Sequence, residues 1–202
     1  GTVKASKPLS YNGSIIDDII APPGAVTTGD NYGHSVAGIG DFDGDGTLDY
    51  IVGAPGTDNG GANAGSAYIH ASTSGLIEIT GSMSGQNIGS FVGGIGDING
   101  DGLSDVLISG SKYNEVYTFV GGRTVGTNVN NAELTISTGS KIIISGGAAG
   151  DFNGDGFDDT VVSVTADSNT NQIADQNGHA QTYVIFGGTG STASADGVIN
   201  ID

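Results

Sequence analysis

No cysteine occurs in the 202 residues, only five side chains are basic against 22 acidic ones, and no apolar run approaches a membrane span. The missing cysteines exclude a disulfide framework and thiol chemistry, and they leave the compartment open. The shortage of Lys and Arg produces a formal charge of -17. Nucleic acid and anionic membrane surfaces would both be repelled by such a chain. A spanning helix needs about 18 or more consecutive apolar residues, so membrane insertion is not expected. His34, His70 and His179 stand apart from any acid partner in sequence, and Arg123 is the only arginine. No phosphate loop, H-E-x-x-H or RGD is present, and "GSMSG" from Gly81 has Met83 where a nucleophile elbow needs serine. The chain reads as non-catalytic. Asn12-Gly13-Ser14 matches a glycosylation acceptor pattern, and Gly1 in place of a starting Met fits a processed form or a piece of something longer.

What the chain has in excess is glycine, 38 residues, against an average share of about 7%. Their order shows turns rather than low complexity. "GDFDGDGTLDYIV" from Gly40 returns as "GDINGDGLSDVLI" from Gly96 and "GDFNGDGFDDTVV" from Gly150, and the first aspartates, Asp41, Asp97 and Asp151, lie 56 and 54 residues apart. Tyr68, Tyr117 and Tyr183 recur in register behind them and read as core or packing between repeats. "GLIEIT" from Gly75 and "AELTIS" from Ala132 precede the later copies, and "GVINID" from Gly197 reads as the opening strand of a fourth unit. Each unit is a series of short apolar runs of about five residues broken by Gly, Asn, Asp and Ser, the signature of strands and turns. "DYIV", "DVLI" and "DTVV" are continuous, as in strands buried on both faces.

A period near 55 residues with about four strands per unit predicts an all-β fold of propeller-type blades, each a four-stranded antiparallel sheet. A sandwich containing repeats is the alternative. Residues 1–202 form one repeat domain, with units at about 14–74, 75–130 and 131–190 and residues 191–202 opening a further one. The segments "GTDNGGANAG" and "ADSNTNQIADQNGHAQ" look like outer loops, where length can vary without touching the core.

The acidic motif has the spacing D-x-[DN]-x-D-G-x-x-D. Its oxygen-bearing positions are Asp41, Asp43, Asp45 and Asp49, then Asp97, Asn99, Asp101 and Asp105, then Asp151, Asn153, Asp155 and Asp159. Hard oxygen ligands at alternating positions with glycine for a sharp turn suit Ca2+, and position seven, Thr47, Leu103 or Phe157, would add a backbone carbonyl. Magnesium demands a tighter octahedron and keeps its waters, and the lack of cysteine speaks against zinc or copper. An EF-hand requires a glutamate at position twelve, where Val52, Ile108 and Val162 stand inside the strand signal. The loop therefore joins two strands, and the ninth-position aspartate closes the site at the start of the second. Plain hairpin turns would use D-G and N-G pairs too, but do not call for four oxygen ligands in each of three copies. Asp158 lies outside the ligand spacing and is expected in solvent. Ten of the 22 acidic residues occupy ligand positions, and three divalent ions would raise the charge from -17 to -11. Cation binding is thus expected to couple to folding.

The stretch "YGHSVAGIGDFDGDGTLDYIVGAP" resembles an FG-GAP repeat, as in integrin alpha-subunit propellers and in many bacterial surface proteins. Tyr32-Gly33 stands for the Phe-Gly and Gly53-Ala54-Pro55 for the Gly-Ala-Pro. The second copy keeps Gly89 but has Ser109-Gly110-Ser111, and the third has Ile143 and Ser163-Val164-Thr165 at these places. The resemblance implies a calcium loop in a hairpin of each blade and a role in adhesion or protein contact, or beside a catalytic domain. Three blades fall short of a closed ring of four to eight. The chain is part of a longer propeller, completes a ring with another chain, or self-associates by blade stacking or strand addition. The expectation is a calcium-stabilised extracellular or cell-surface module for adhesion or surface assembly. A carbohydrate-binding propeller and an accessory domain of a secreted enzyme are the alternatives.

Overall fold

The computed structural model describes residues 10–11, 14–15, 26–112, 115–122, 128–137, 141–166 and 181–188. A short hairpin, β1 (Ser10–Tyr11) and β2 (Ser14–Ile15), precedes three antiparallel sheets. The first sheet is β3 (Val36–Gly40), β4 (Asp49–Ala54), β5 (Ser66–Ala71) and β6 (Gly75–Thr80) in sequence order. The second repeats it with β7 (Phe91–Gly96), β8 (Asp105–Ser109), β9 (Glu115–Phe119) and β10 (Leu134–Ser137). The third has β11 (Lys141–Gly150), β12 (Asp159–Ala166) and β13 (Gln181–Ile185) among the described residues. The fold is all-β and made of propeller-type blades, which do not close a ring among the described residues. A single 3-10 turn, Val129–Asn131, is the only helical element described, and among the described residues no helix is long and apolar enough to cross a membrane.

The sheets stack face to face, so the second strands of the first two, β4 and β8, are buried along almost their whole length. Ile51 and Ile69 of the first sheet meet Val106, Ile108 and Phe119 of the second in one core cluster. Leu107 and Val116 meet Val162 and Val164 of the third in another. Tyr68 and Tyr117 are buried and Tyr183 packs against the second cluster, as their register suggests. The first strands β3, β7 and β11 lie side by side, β7 in the middle. Their glycines allow this approach: a Cβ on Gly94 would stand 2.8 Å from the Gly38 carbonyl oxygen.

Sequence repeat and sheet are out of phase. The sheets run over 36–80, 91–137 and 141–185, so residues 75–80 and 134–137 form the outer fourth strand of the sheet before them. The tight turn at 72–74 decides this, because it folds β6 straight back onto β5. "GVINID", Asn12, Arg123, His179 and the segment 167–180 lie outside the described residues.

The glycine-rich stretch 56–65 is not a free outer loop. Thr57, Ala64 and Gly65 are buried, and Gly81 and Gly85 donate to the carbonyls of Gly65 and Ala62 at 2.8 Å each. Small residues are needed there because the entry to the second blade passes within backbone contact. Gly53 shows the same constraint, since a Cβ on it would lie 2.0 Å from the Gly89 carbonyl oxygen. Gly53→Ala is expected to destabilise by about 3 kcal/mol, because backbone must shift to admit the methyl. Urea unfolding measures the loss, and a change within about 0.5 kcal/mol would contradict the tight contact.

Candidate metal centre

Each acidic loop begins at a β-bulge. The ladder slips between Gly38 and Gly40, Gly94 and Gly96, and Ala148 and Gly150. The last residue of each trio has positive φ (77°, 76° and 66°), which favours glycine. The bulge delivers the first aspartate into the loop with its carboxylate under the loop backbone. Asp41 Oδ1 accepts from the amides of Gly44 (2.8 Å) and Asp45 (3.1 Å), and Oδ2 accepts from Gly46 (2.9 Å). Asp97 and Asp151 repeat this with Gly100, Asp101 and Gly102, and with Gly154, Asp155 and Gly156. Three loops thus share one backbone trace.

The ninth-position aspartates are buried and have a second task. Asp49 accepts from the amides of Phe42 (2.9 Å) and Ser72 (3.1 Å), Asp105 from Ile98 (2.9 Å) and Gly121 (2.8 Å), and Asp159 from Phe152 (2.8 Å) and Gly187 (2.9 Å). Each carboxylate ties its loop to the end of the third strand of its sheet. Spacing alone marks these residues as ligands and does not reveal the tie, whose far end lies 16 to 28 residues away.

The structure brings Asp41, Asp43 and Asp49 together, with one carboxylate oxygen from each within 4.8 Å of the others. Oxygens bound to one calcium at 2.3–2.6 Å stand at most about 5 Å apart, so the donor set fits that ion. Of the described residues, no other acidic or histidine trio is as close. Asp45, Asp101 and Asp155 at position five cap the turn of their own loops. Their Oδ1 atoms accept from the amides of Thr47 (2.7 Å), Leu103 (2.9 Å) and Phe157 (3.0 Å). Asn99 and Asn153 donate to Asp101 and Asp155 at 3.0 and 2.9 Å.

The first loop has an added set of donors. Ser72 Oγ (2.6 Å) and Thr73 Oγ1 donate to Asp45 Oδ2, and the amides of Thr73 (3.2 Å) and Ser74 (2.7 Å) donate to Asp43 Oδ2. The two hydroxyls hold the Asp45 carboxyl down at about 2. Asp105 goes the other way, pushed up to about 7 by burial, with Asp101 and Asp97 adding repulsion and the Gly121 and Ile98 amides opposing. A divalent ion would relieve that repulsion. Lys112 is the one basic residue whose side chain is described, and it lies beside Gly85.

The loops also touch one another in a row. Ser104 N donates to Asp41 O (3.0 Å) and Gly122 N to Phe42 O (2.7 Å); Asp158 N donates to Asp97 O (3.0 Å) and Gly188 N to Ile98 O (2.8 Å). Asp158 is therefore not a solvated side chain. It is half-buried between blades, where its Oδ2 accepts from Asp97 N at 2.9 Å. Leu103 and Phe157 pack against Gly44 and Gly100 of the loop before, a role that a ligand count at position seven does not disclose.

A second cluster sits on the first blade. Tyr32 Oη and His70 Nε2 are 2.7 Å apart, and the Tyr50 and His70 rings stack at 4.5 Å and 9°. Burial, with the neighbouring Tyr50, pushes the Tyr32 hydroxyl up to about 12, and burial pushes His70 down.

Residues 32–70 match the FG-GAP repeat, and residues 97–162 match the FG-GAP-like repeat. The chain is similar to integrin alpha-IIb of Homo sapiens, 30% identical over 159 residues that cover 65% of this chain and 14% of that protein. It is likewise similar to integrin alpha-8 of Gallus gallus, 30% identical over 159 residues, covering 71% of this chain and 14% of that one. The match thus spans about one seventh of the length of either integrin subunit.

Proposed function

The chain belongs to the FG-GAP repeat family, and from that premise we propose that it is a non-catalytic, calcium-binding module of an extracellular or cell-surface propeller that serves adhesion or protein contact. The observation that carries the cation reading is the first loop, where three carboxylates converge on one point. Asp41, Asp43 and Asp49 would hold that ion, and Asp97, Asn99, Asp105 and Asp151, Asn153, Asp159 would hold the others through the same backbone trace. The fifth-position aspartates and the carbonyls of Thr47, Leu103 and Phe157 complete each set. Bound calcium supplies charge compensation and no reaction. The chain's own residues do the rest: the first aspartate orders the loop amides and the ninth anchors the loop to its sheet.

Isothermal titration of chelator-treated protein is expected to give three equivalents, with affinities near 10⁻⁴–10⁻³ M, typical of extracellular modules. Asp41→Asn, Asp97→Asn and Asp151→Asn should each remove one equivalent. Absence of calcium uptake at any concentration would end the metal reading.

Contact with protein is the first use, by self-association or with another chain. A glycan partner is the second, favoured by the Tyr50–His70 stack, whose flat rings suit a sugar face. A glycan array in calcium separates the two: saturable binding to one glycan class, lost in Tyr50→Ala, selects the second. A place beside the catalytic domain of a secreted enzyme is the third, and it requires an activity in the parent protein.

A further inference from the structure

The three acidic loops share a backbone trace, yet the first is built differently at two places. Its third-position residue is Asp43, where the second and third loops have Asn99 and Asn153. Those asparagines are spent inside their own loops. Each donates its amide to the fifth-position carboxylate, at 3.0 and 2.9 Å, and each side-chain oxygen accepts the fifth-position backbone amide at 2.9 Å. The first loop therefore brings four carboxylates and the others bring three.

The second difference lies outside the loops. Ser72, Gly121 and Gly187 are counterparts, since the amide of each donates to the ninth-position carboxylate of its own sheet. In the second and third blades the next amide, Gly122 N or Gly188 N, crosses to the loop of the blade before. A Cβ on Gly121 or Gly187 would stand 2.8 or 2.7 Å from the carbonyl oxygen of Phe42 or Ile98, so a hydroxyl-bearing side chain does not fit there. In the first blade the same segment turns back onto its own loop and carries side chains. Ser72 Oγ and Thr73 Oγ1 donate to Asp45 Oδ2, and the amides of Thr73 and Ser74 donate to Asp43 Oδ2.

Both differences act in one direction. Calcium affinity rises with the number of charged ligands and with the rigidity of the site. A fourth carboxylate adds attraction for the ion. Four donors from outside the loop hold Asp43 and Asp45 in place, so those two side chains lose less freedom when the ion arrives. We propose that the first loop is the tight cation site of the chain, filled before the other two, and that Ser72, Thr73 and Ser74 form the positioning segment that makes it so. The proposal rests on the cation reading above and adds to it an order of filling. As calcium falls, the second and third loops empty first and the first blade keeps its ion.

Titration of the chelator-treated whole chain with calcium, in competition with a chromophoric chelator, tests it. One equivalent is expected to bind at least about tenfold more tightly than the other two. Asp41→Asn should remove that tight equivalent, while Asp97→Asn and Asp151→Asn should each remove a weak one. Ser72→Ala with Thr73→Val deletes both hydroxyls at exposed positions and should weaken the tight site alone, by about fivefold or more. Ser72→Thr with Thr73→Ser keeps the hydroxyls and should keep the affinity, which a merely structural role for the turn would not require. Asp43→Asn gives the first loop the charge of the others and should bring its affinity down to theirs. Circular dichroism checks that each variant is folded. Three sites of equal affinity in the natural chain overturn the proposal and leave the calcium reading standing, whereas no uptake at all ends that reading first. A tight equivalent that Asp97→Asn or Asp151→Asn removes, or one that survives loss of both hydroxyls unchanged, also overturns it.

Discussion

Asp105→Ala is expected to lower stability in calcium by about 4 kcal/mol, roughly 10 °C in melting temperature for a domain of this size. Asp105 has no exposed surface, and its two oxygens accept the amides of Ile98 and Gly121. Removing it strands two buried donors, each costing about 1–3 kcal/mol. It also unties the second loop from the end of β9, which carries the contact with the first blade. Asp105→Asn keeps one acceptor and should lose about half as much. Thermal melts of the two variants in calcium measure the difference. A loss under about 1 kcal/mol for the alanine would mean the tie is not structural.

Dialysis against chelator is expected to have the larger effect. With calcium about a hundredfold above its dissociation constant, each site stabilises by about 2.7 kcal/mol and three by about 8 kcal/mol. Ten carboxylates crowded into three loops would then repel without compensation. Calcium should also flatten the pH response. In the cation-free protein the Asp105 carboxyl holds its proton up to about 7, against an ordinary 3.8. The folded state then binds more protons than the unfolded one across that window. Stability is therefore greatest below the lower value, falls as pH rises through the window, and levels off above it. In calcium the ionised form is the one favoured, so the fall over that range should disappear. Melting curves from pH 4 to pH 8, with and without chelator, read both effects. Identical curves in the two series would rule out calcium as a partner of the loops.

The loops were legible from spacing because their geometry is local: an aspartate, its glycines and the next aspartate all lie within nine residues. The continuous apolar runs at 50–52 and 106–108 likewise announced strands covered on both faces. Sheet membership was not legible, because "GLIEIT" looks the same whether it pairs backward with β5 or forward with β7. The glycine-rich stretch 56–65 looked like a loop free to vary because composition does not show what backbone it must pass. The Ser72–Thr73–Ser74 donors reach Asp43 and Asp45 across 27 to 31 residues, a distance over which single-sequence pattern carries no signal. Asp158 was misplaced for the same reason: its partner, Asp97, sits 61 residues away.

The main-chain bonds between neighbouring acidic loops, from Ser104 to Asp41 and from Asp158 to Asp97, have a bearing on motion. A loop that swings open must tear amides from the loop beside it, so the rim fluctuates as a single cooperative strip. Hydrogen exchange at these amides would then slow together, and a local lesion in one repeat would be felt as looseness two repeats along.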